Sequence, residues 1–314
     1  MAFLKNNKGF ALGVALACLV LLFPTPESLS PEAHKTAALF LLMGVWWATE
    51  AVPVAVTALV PLALFPLLGI VDIQSAANPY ANKTIYLFFG GFLIATAIQK
   101  WNLHKRIALF VLENTGSNGA SLILGFMITA AVISMWVMNT ATTIMLLPIG
   151  LAVITVVKET VRGLSPKETE NFQLALLLGI AYGATIGGMS TLIGTGPNGM
   201  LAAFMADNYD LDISFVDWMK VGVPLSVVML PACWVILTRI IYPVKFQTSQ
   251  ETTDLLSSMK NDLGDLKGPE KKILIVFVLT ALAWMFRTVL DDIPFLNGLS
   301  DSGIAMISAL FLFL

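Results

Sequence analysis

From Gly116 to Val157 the chain carries no charged residue, and in the middle of that stretch lies a short polar island, Ser134-Met135-Trp136-Val137-Met138-Asn139-Thr140-Ala141-Thr142-Thr143. The flanks, SLILGFMITAAVI and IMLLPIGLAVITVV, are apolar. A buried polar group without a partner costs on the order of 1–3 kcal/mol, and more in lipid, so these hydroxyls and this amide need water, protein groups, an ion or a substrate. A second interruption, from Gly183 to Asn198, breaks an apolar span that runs from about Phe172 to Met205. Glycine weakens a helix interior and proline removes a backbone donor, so Gly187, Gly188, Gly194, Gly196 and Pro197 together predict locally unwound backbone. At membrane depth such backbone is tolerated where it lines a cavity, and interrupted apolar segments point to a transporter's binding site.

The rest of the chain supplies the membrane context. Charged residues are 12% of the 314 and apolar ones 57%, with a mean hydropathy of +0.82, against about 25% charged in a soluble domain. The apolar runs are continuous rather than alternating, which predicts an all-α integral membrane protein and not a barrel. Cys18 and Cys233 both fall in apolar runs, so no disulfide or metal framework is implied. The run from Gly9 to Phe23 lacks a strong small-residue cleavage pattern after it and reads as a retained first helix. Further runs cover Thr36 to Ala48, then Pro53 to about Val71 after a turn near Glu50, then Thr84 to Ile98. The last contains Gly90-Gly91 and leads into Lys100-Trp101-Asn102-Leu103-His104-Lys105-Arg106. That segment reads as a helix continuing along the cytosolic interface, with its bases facing anionic lipid and His104 an interfacial side chain. The stretch from Ile304 to Leu314 reads as a membrane segment already under way, which leads us to expect a fragment of a longer transporter-like protein.

Gly116 to Val157 is long enough for two full crossings or for a hairpin that enters and returns on one side. Both options return the chain to the side where Lys158, Arg162 and Lys167 follow, and Lys245, Lys260, Lys267, Lys271 and Lys272 fall on that side too. Asp207, Asp210, Asp212, Asp291 and Asp292 fall on the other. The positive-inside rule then places the N-terminus and the mixed-charge loop from Gln247 to Gly268 in the cytosol of a multi-pass inner or plasma membrane protein. The LLSSM core of that loop is expected to form a surface helix.

Chemistry narrows the class further. The sequence has no HExxH, no GxxxxGK[ST] and no intramembrane cluster of carboxylates or histidines, so an enzyme is not indicated and no cofactor is expected. Nothing points to nucleic acid. The IGTGPN segment resembles a phosphate-cradling loop only superficially, since it lacks the lysine. What the membrane interior does offer is hydroxyl, amide and carbonyl oxygens at two breaks. Such oxygens can replace the hydration shell of a hard monovalent cation, while N-terminal amides of a broken helix can accept a carboxylate. Gly187 and Gly188 are the glycines expected to serve helix packing. Thr142 and Thr143 are expected to be structural, and Trp136 an ordinary core or lipid-facing side chain. Hydroxyls in apolar helices often bond to a carbonyl one turn back, a structural role equally open to Ser134 and Thr140.

SMWVMNTATTIMLLPI, GGFLIATAIQKWNLHKRIAL and IGGMSTLIGTGPN resemble the divalent anion:sodium symporter family of di- and tricarboxylate and sulfate transporters, with strong agreement from Phe88 to Asn198. The resemblance implies an inverted-repeat secondary transporter with a re-entrant hairpin and a discontinuous helix, working as a homodimer in lipid. On that basis residues 1–30 would hold the first transmembrane helix and 31–246 the first repeat, with the hairpin at about 116–157 and the broken helix at about 172–206. Residues 247–270 would form a cytosolic loop and 271–314 open the second repeat, so that the chain would cover roughly the N-terminal two-thirds of a family protein. The implied coupling ion is Na+, held by Ser134, the Met138 carbonyl, Asn139, the Ile193 and Gly194 carbonyls and Asn198. The implied substrate is a small divalent anion, a C4-dicarboxylate such as succinate or malate, meeting Asn139, Thr140 and Thr195. Met138 departs from the family's usual serine, and a thioether is a poor sodium ligand. A sodium-independent dicarboxylate exchanger, or a transporter of sulfate or another anion, is the alternative in the same broad class; an anion channel or structural membrane subunit is the alternative from another.

Overall fold

A computed structural model of the chain describes residues 8–116 and 118–314. They fall into two compact units, one ending at Asn82 and the other running from Lys83 to Leu314. In the first unit, α1 (Lys8–Leu22) packs along α2 (Pro31–Thr49). Ser30 caps α2 by accepting from the Ala33 N–H, and Pro31 sits at its first turn, where a missing donor costs nothing. Glu50 ends the helix in the left-handed region at φ 48°, which supplies the turn expected there and leaves the acid exposed. Gly13 lets the helices approach, since a Cβ there would lie 2.7 Å from the Trp46 ring, and Phe10 stacks on the same ring at 4.8 Å. The apolar run after Pro53 is divided into α3 (Val54–Thr57) and α4 (Val60–Leu67), and α5 (Ile73–Ala77) passes into a short 3-10 turn.

The second unit holds α6 (Lys83–Lys100), α7 (Leu103–Glu113), α8 (Gly119–Ser134), α9 (Asn139–Thr160), α10 (Pro166–Gly188), α11 (Gly196–Tyr209), α12 (Phe215–Val235), α13 (Gln250–Asp262), α14 (Gly268–Met285), α15 (Arg287–Asp291) and α16 (Asp301–Phe311). Among the described residues, α9, α10 and α12 with its π-helical extension to Ile241 are each long and apolar enough to cross a membrane. The protein is an all-α, multi-pass membrane protein.

α8 and α9 form the hairpin. Eleven residues past the break, Gly150 faces the Phe126 ring, eight residues before it, so the two helices run back along each other. Both feet stand on one short segment: the Gly119 N–H donates to the Phe246 carbonyl, and the Thr160 and Ser249 hydroxyls bond at 2.5 Å. The tip lies level with the middle of α6, where Trp136 and Ile193 meet Gly91 and Ile94, rather than with its far end at Lys83. The hairpin tip therefore packs against the middle of α6, the placement a hairpin that enters and returns on one side requires. The discontinuous helix is α10 and α11, interrupted at residues 189–195, and α10 begins with a full capping box between Ser165 and Glu168.

The segment after α6 differs from its sequence reading. Asn102 takes the left-handed conformation at φ 59° and turns the chain into α7. This buries His104, whose Nδ1 meets the Ile98 carbonyl at 3.3 Å. Burial pushes the imidazole below its ordinary pKa, against the pull of that carbonyl, so His104 is a neutral packing residue rather than an interfacial one. Arg106 likewise does not face lipid. Its guanidinium contacts both Glu270 oxygens at 3.2–3.3 Å and donates to the Gly264 carbonyl at 2.9 Å, pinning α7 to the start of α14. The LLSSM segment forms α13, as expected, with Thr252 and Leu256 buried and Lys260 paired to Glu113 on α7. Because the Glu270 side chain is only 4% exposed, Arg106→Ala should leave a buried carboxylate without its guanidinium, held by the Lys267 N–H at 3.0 Å, and destabilise the protein by about 3–5 kcal/mol. Arg106→Lys should recover only part of this, since it cannot reproduce the fork. Denaturant unfolding of the purified variants checks this, and a loss below about 1 kcal/mol for the alanine variant would show the pair to be solvated.

Candidate functional site

The two breaks meet. Four residues, Met135 to Val137 and the N-cap Met138, connect α8 to α9, and Met138 offers α9 no side-chain cap. Asn139 and Thr140 are the first residues of α9, half-buried and exposed respectively. Ser134 is fully buried at the end of α8, and its hydroxyl donates to Asn139 Oδ1 at 2.7 Å with a longer contact to the Val137 carbonyl at 3.3 Å. It therefore bonds forward across the break rather than one turn back. The Thr142 hydroxyl reaches the same Val137 carbonyl at 3.5 Å, and Thr143 donates to the Asn139 carbonyl at 2.9 Å.

The second break closes on the first through Thr191. Its hydroxyl donates to the Met135 carbonyl and accepts from the Gly194 N–H at 3.1 Å, so one side chain ties both interruptions together. Asn198, 7% exposed on the first turn of α11, donates both amide protons, to the Gly188 carbonyl at 3.0 Å and the Thr191 carbonyl at 2.7 Å. With its donors spent, the side-chain oxygen is the Asn198 atom left for a further partner. Three glycines set the spacing. A Cβ at Gly187 would lie 2.2 Å from the Ala131 carbonyl oxygen, so this residue serves helix packing as expected. Gly188 does not: its Cβ would lie 2.2 Å from Asn139 Oδ1, which makes it part of the polar junction. A Cβ at Gly194 would stand 2.4 Å from the Gly188 carbonyl and 2.9 Å from that of Ser134.

Of the residues named from sequence, Ser134, Asn139, Gly194 and Asn198 are thus drawn into one junction, with the Met138 backbone beside it and its side chain 50% exposed. Ile193 is buried, its side chain against Gly91. Thr195 is the half-buried N-cap of α11, extended at φ −150°, and makes no side-chain cap. Gly199 offers only close approach, to the Phe88 ring. Sequence reasoning missed Thr191, and also the brace behind it. Ser190 donates to Ser226 of α12 at 2.8 Å, Ser226 to the Ile186 carbonyl at 2.7 Å, and the Trp218 indole to the Met189 carbonyl at 2.9 Å. Ser190 and Thr191 stood inside the glycine-rich interruption and were visible as hydroxyls, but the α12 partners carry no local signal.

The arrangement has a definite electrostatic sense. Two helices, α8 and α10, end at the junction, and two others, α9 and α11, begin there without side-chain caps. C-terminal ends present carbonyls and partial negative charge; N-terminal ends present free N–H groups and partial positive charge. The four helix ends therefore bring carbonyl and side-chain oxygens suited to a cation close to N–H donors suited to an anion. Among the described residues no group of three or more His, Cys, Asp or Glu is placed to hold a metal ion.

Comparison with known proteins bears on the chain as a whole. The family model described as the sodium:sulfate symporter transmembrane region matches residues 4–314, well beyond the segment from Phe88 to Asn198 that carries the strongest motifs. The chain is 38% identical over 308 residues to a sodium-dependent dicarboxylate transporter, SdcS, of Staphylococcus saprophyticus, covering 98% of this chain and 59% of that protein. It is 35% identical over 310 residues to the transporter of the same name from Staphylococcus aureus strain USA300, with 98% and 59% covered. The chain spans about three-fifths of the length of these curated relatives. A match over almost every residue, on a fold with the re-entrant hairpin and the broken helix in place, shows that the chain belongs to the sodium:sulfate symporter family of membrane transporters.

Proposed function

We propose that the intact protein carries a small divalent anion across the membrane together with Na+, with a C4-dicarboxylate such as succinate or malate as the substrate. The observation that carries this reading is the junction itself, at which two helix C-termini and two uncapped N-termini converge on Ser134, Asn139, Gly188 and Asn198. In this reading Na+ takes oxygens from Ser134, Asn139, Asn198 and the carbonyls of Met138, Ile193 and Gly194. The Met138 carbonyl already accepts from the Thr142 N–H at 2.9 Å but keeps a second lone pair. The anion lies toward the N-terminal turns of α9 and α11, at Asn139, Thr140 and Thr195; the uncapped first turn of α9 offers N–H groups to a carboxylate, while α11 offers fewer, since Pro197 has no N–H and the Asn198 N–H already donates to the Thr195 carbonyl at 3.2 Å. The names of the SdcS relatives, as sodium-dependent dicarboxylate transporters, support the choice of ion and substrate.

Met138 supports a second reading, sodium-independent dicarboxylate exchange, because it places no hydroxyl where the resemblance leads one to expect serine. Reconstitution of the intact protein separates them. Succinate uptake that saturates and requires external sodium rather than choline supports symport. Uptake indifferent to sodium but stimulated by internal succinate supports exchange, sulfate uptake competing with succinate widens the substrate, and unsaturable flux indicates a channel.

The same reading includes a homodimer, an inverted repeat continued from residue 271, and a cytosolic N-terminus. Both feet of the hairpin stand beside the segment leading into α13, so in this orientation the hairpin enters from the cytosol. With Cys18 and Cys233 replaced, Asp265→Cys should react with an impermeant thiol reagent only from the cytosolic side and Asp292→Cys only from outside. The opposite labelling pattern would reverse the assignment.

A further inference from the structure

Trp136 occupies an unusual place at the hairpin tip. Its two neighbours both turn their carbonyls into the junction, Met135 to the Thr191 hydroxyl and Val137 to the hydroxyls of Ser134 and Thr142. The indole between them goes into a seat built entirely by other elements. It lies near-parallel to Phe215 of α12 at 6.1 Å and 20°, and to Trp284 of α14 at 6.2 Å and 10°, while Phe277 meets it edge-on at 5.0 Å. Phe215 and Trp284 stack on each other at 4.5 Å. Leu192 and Ile193 of the second break belong to the same apolar cluster, so one ring packs within reach of both interruptions. The gap left beside the indole is about 10 Å³, too small for the ring to shift into.

The seat is fastened from a distance by Asp301, at the start of α16. Its Oδ2 accepts from the Phe215 N–H at 2.9 Å, its own carbonyl accepts from the Trp284 indole N–H at 3.0 Å, and Arg287 lies 3.5 Å from the same Oδ2. The two rings that lie near-parallel to Trp136 are thus both referred to one residue that belongs to neither break. A ring held on three sides fixes the peptide planes on either side of it, and those planes carry the carbonyls that order the junction.

We propose that Trp136 is a positioning residue for the junction, its indole seated by Phe215, Trp284 and Phe277 and registered by Asp301, so that the seat sets the affinity of the cation site without contacting the ion. The ion-affinity part rests on the sodium-coupled reading above; the ordering of the two breaks does not. The test therefore has two arms, both on the intact purified protein. Hydrogen exchange at the Val137, Thr142 and Gly194 amides should accelerate at least tenfold in Trp136→Ala, with α1 and α2 unchanged, and Trp136→Phe should restore most of the protection. The sodium concentration giving half-maximal thermal stabilisation should rise at least tenfold in Trp136→Ala, a few-fold in Trp136→Phe, and in the same direction in Asp301→Ala. If Trp136→Ala does not fold, Trp284→Phe, which thins the seat without altering the hairpin, carries the same expectations in smaller measure. Unchanged exchange at both breaks in a folded variant overturns the proposal, as does a lower melting temperature with sodium affinity intact. If the unmodified protein shows no response to sodium, it is the sodium-coupled reading that fails, and the exchange arm decides the role of Trp136 by itself.

Discussion

Asn198→Asp is expected to damage the protein more than Asn198→Ala, and sodium is expected to repair much of the damage. The native amide gives its two protons to the Gly188 and Thr191 carbonyls in a pocket that leaves it 7% exposed. Alanine leaves two carbonyls each short of a donor, a loss of about 2–6 kcal/mol at about 1–3 kcal/mol per orphaned group. Aspartate has the same shape but turns acceptors toward acceptors and adds a buried charge, for which about 3–5 kcal/mol is the expected cost. If a cation binds beside the side-chain oxygen of residue 198, that charge acquires a counter-ion. The melting temperature of Asn198→Asp should then rise steeply with sodium chloride and little with choline chloride, whereas Asn198→Ala should lose the sodium response. Asn139→Ala should fold more nearly normally, because Ser134 keeps its contact with the Val137 carbonyl, yet it too should lose sodium dependence. Sodium-independent melting of the aspartate variant, together with normal sodium-dependent uptake in both alanine variants, would remove the ion from this junction.

The parts of this structure that could be read from sequence are those set by local chemistry. Uncharged length and the glycine and proline cluster marked the apolar spans and the interruption of the discontinuous helix, because each reflects backbone sterics or the cost of unpaired groups within a few residues; the hairpin followed from the family resemblance. The polar island and the glycine-rich interruption were visible for the same reason, and so were Ser134, Asn139 and Asn198. Pairings set by tertiary distance were not legible. Arg106 looked like one base in an interfacial cluster because its partner, Glu270, lies 164 residues away. His104 looked exposed because its neighbours are polar, whereas the left-handed turn at Asn102 rotates it inward. Trp136 looked like ordinary packing because nothing around residue 136 announces Phe215, Phe277 or Trp284. Composition also could not distinguish two crossings from a hairpin. Both put the feet on one side, and the packing of the tip against Gly91 and Ile94 depends on contacts distant in sequence.

Two adjacent glycines turn the distinction between packing and site into a measurable one. A methyl group at Gly187 would fall 2.2–2.6 Å from the Ala131 carbonyl oxygen, Cα and carbonyl carbon, all backbone atoms that cannot turn aside. Gly187→Ala must therefore push α10 away from α8 along their whole contact, an overpacking cost of about 1–3 kcal/mol or more that outweighs the roughly 1 kcal/mol gained in helix propensity. A methyl group at Gly188 meets instead the head of the Asn139 side chain, 2.2 Å from Oδ1 and 3.0 Å from Cγ, and a side-chain amide can swing clear. The fold should survive Gly188→Ala with a sodium-free melting temperature close to that of the unmodified protein. The displaced amide, however, would lose its bond from the Ser134 hydroxyl, and with it the geometry of the junction. The expected pattern is a stability defect without selective loss of sodium dependence for Gly187→Ala, and the reverse for Gly188→Ala. Paired measurements of melting temperature and sodium-dependent succinate uptake on the two variants read both effects. A Gly188→Ala protein that keeps its full sodium response would mean that Asn139 contributes to helix packing alone, because the added methyl, 2.2 Å from Oδ1, displaces the Asn139 amide from its present contacts.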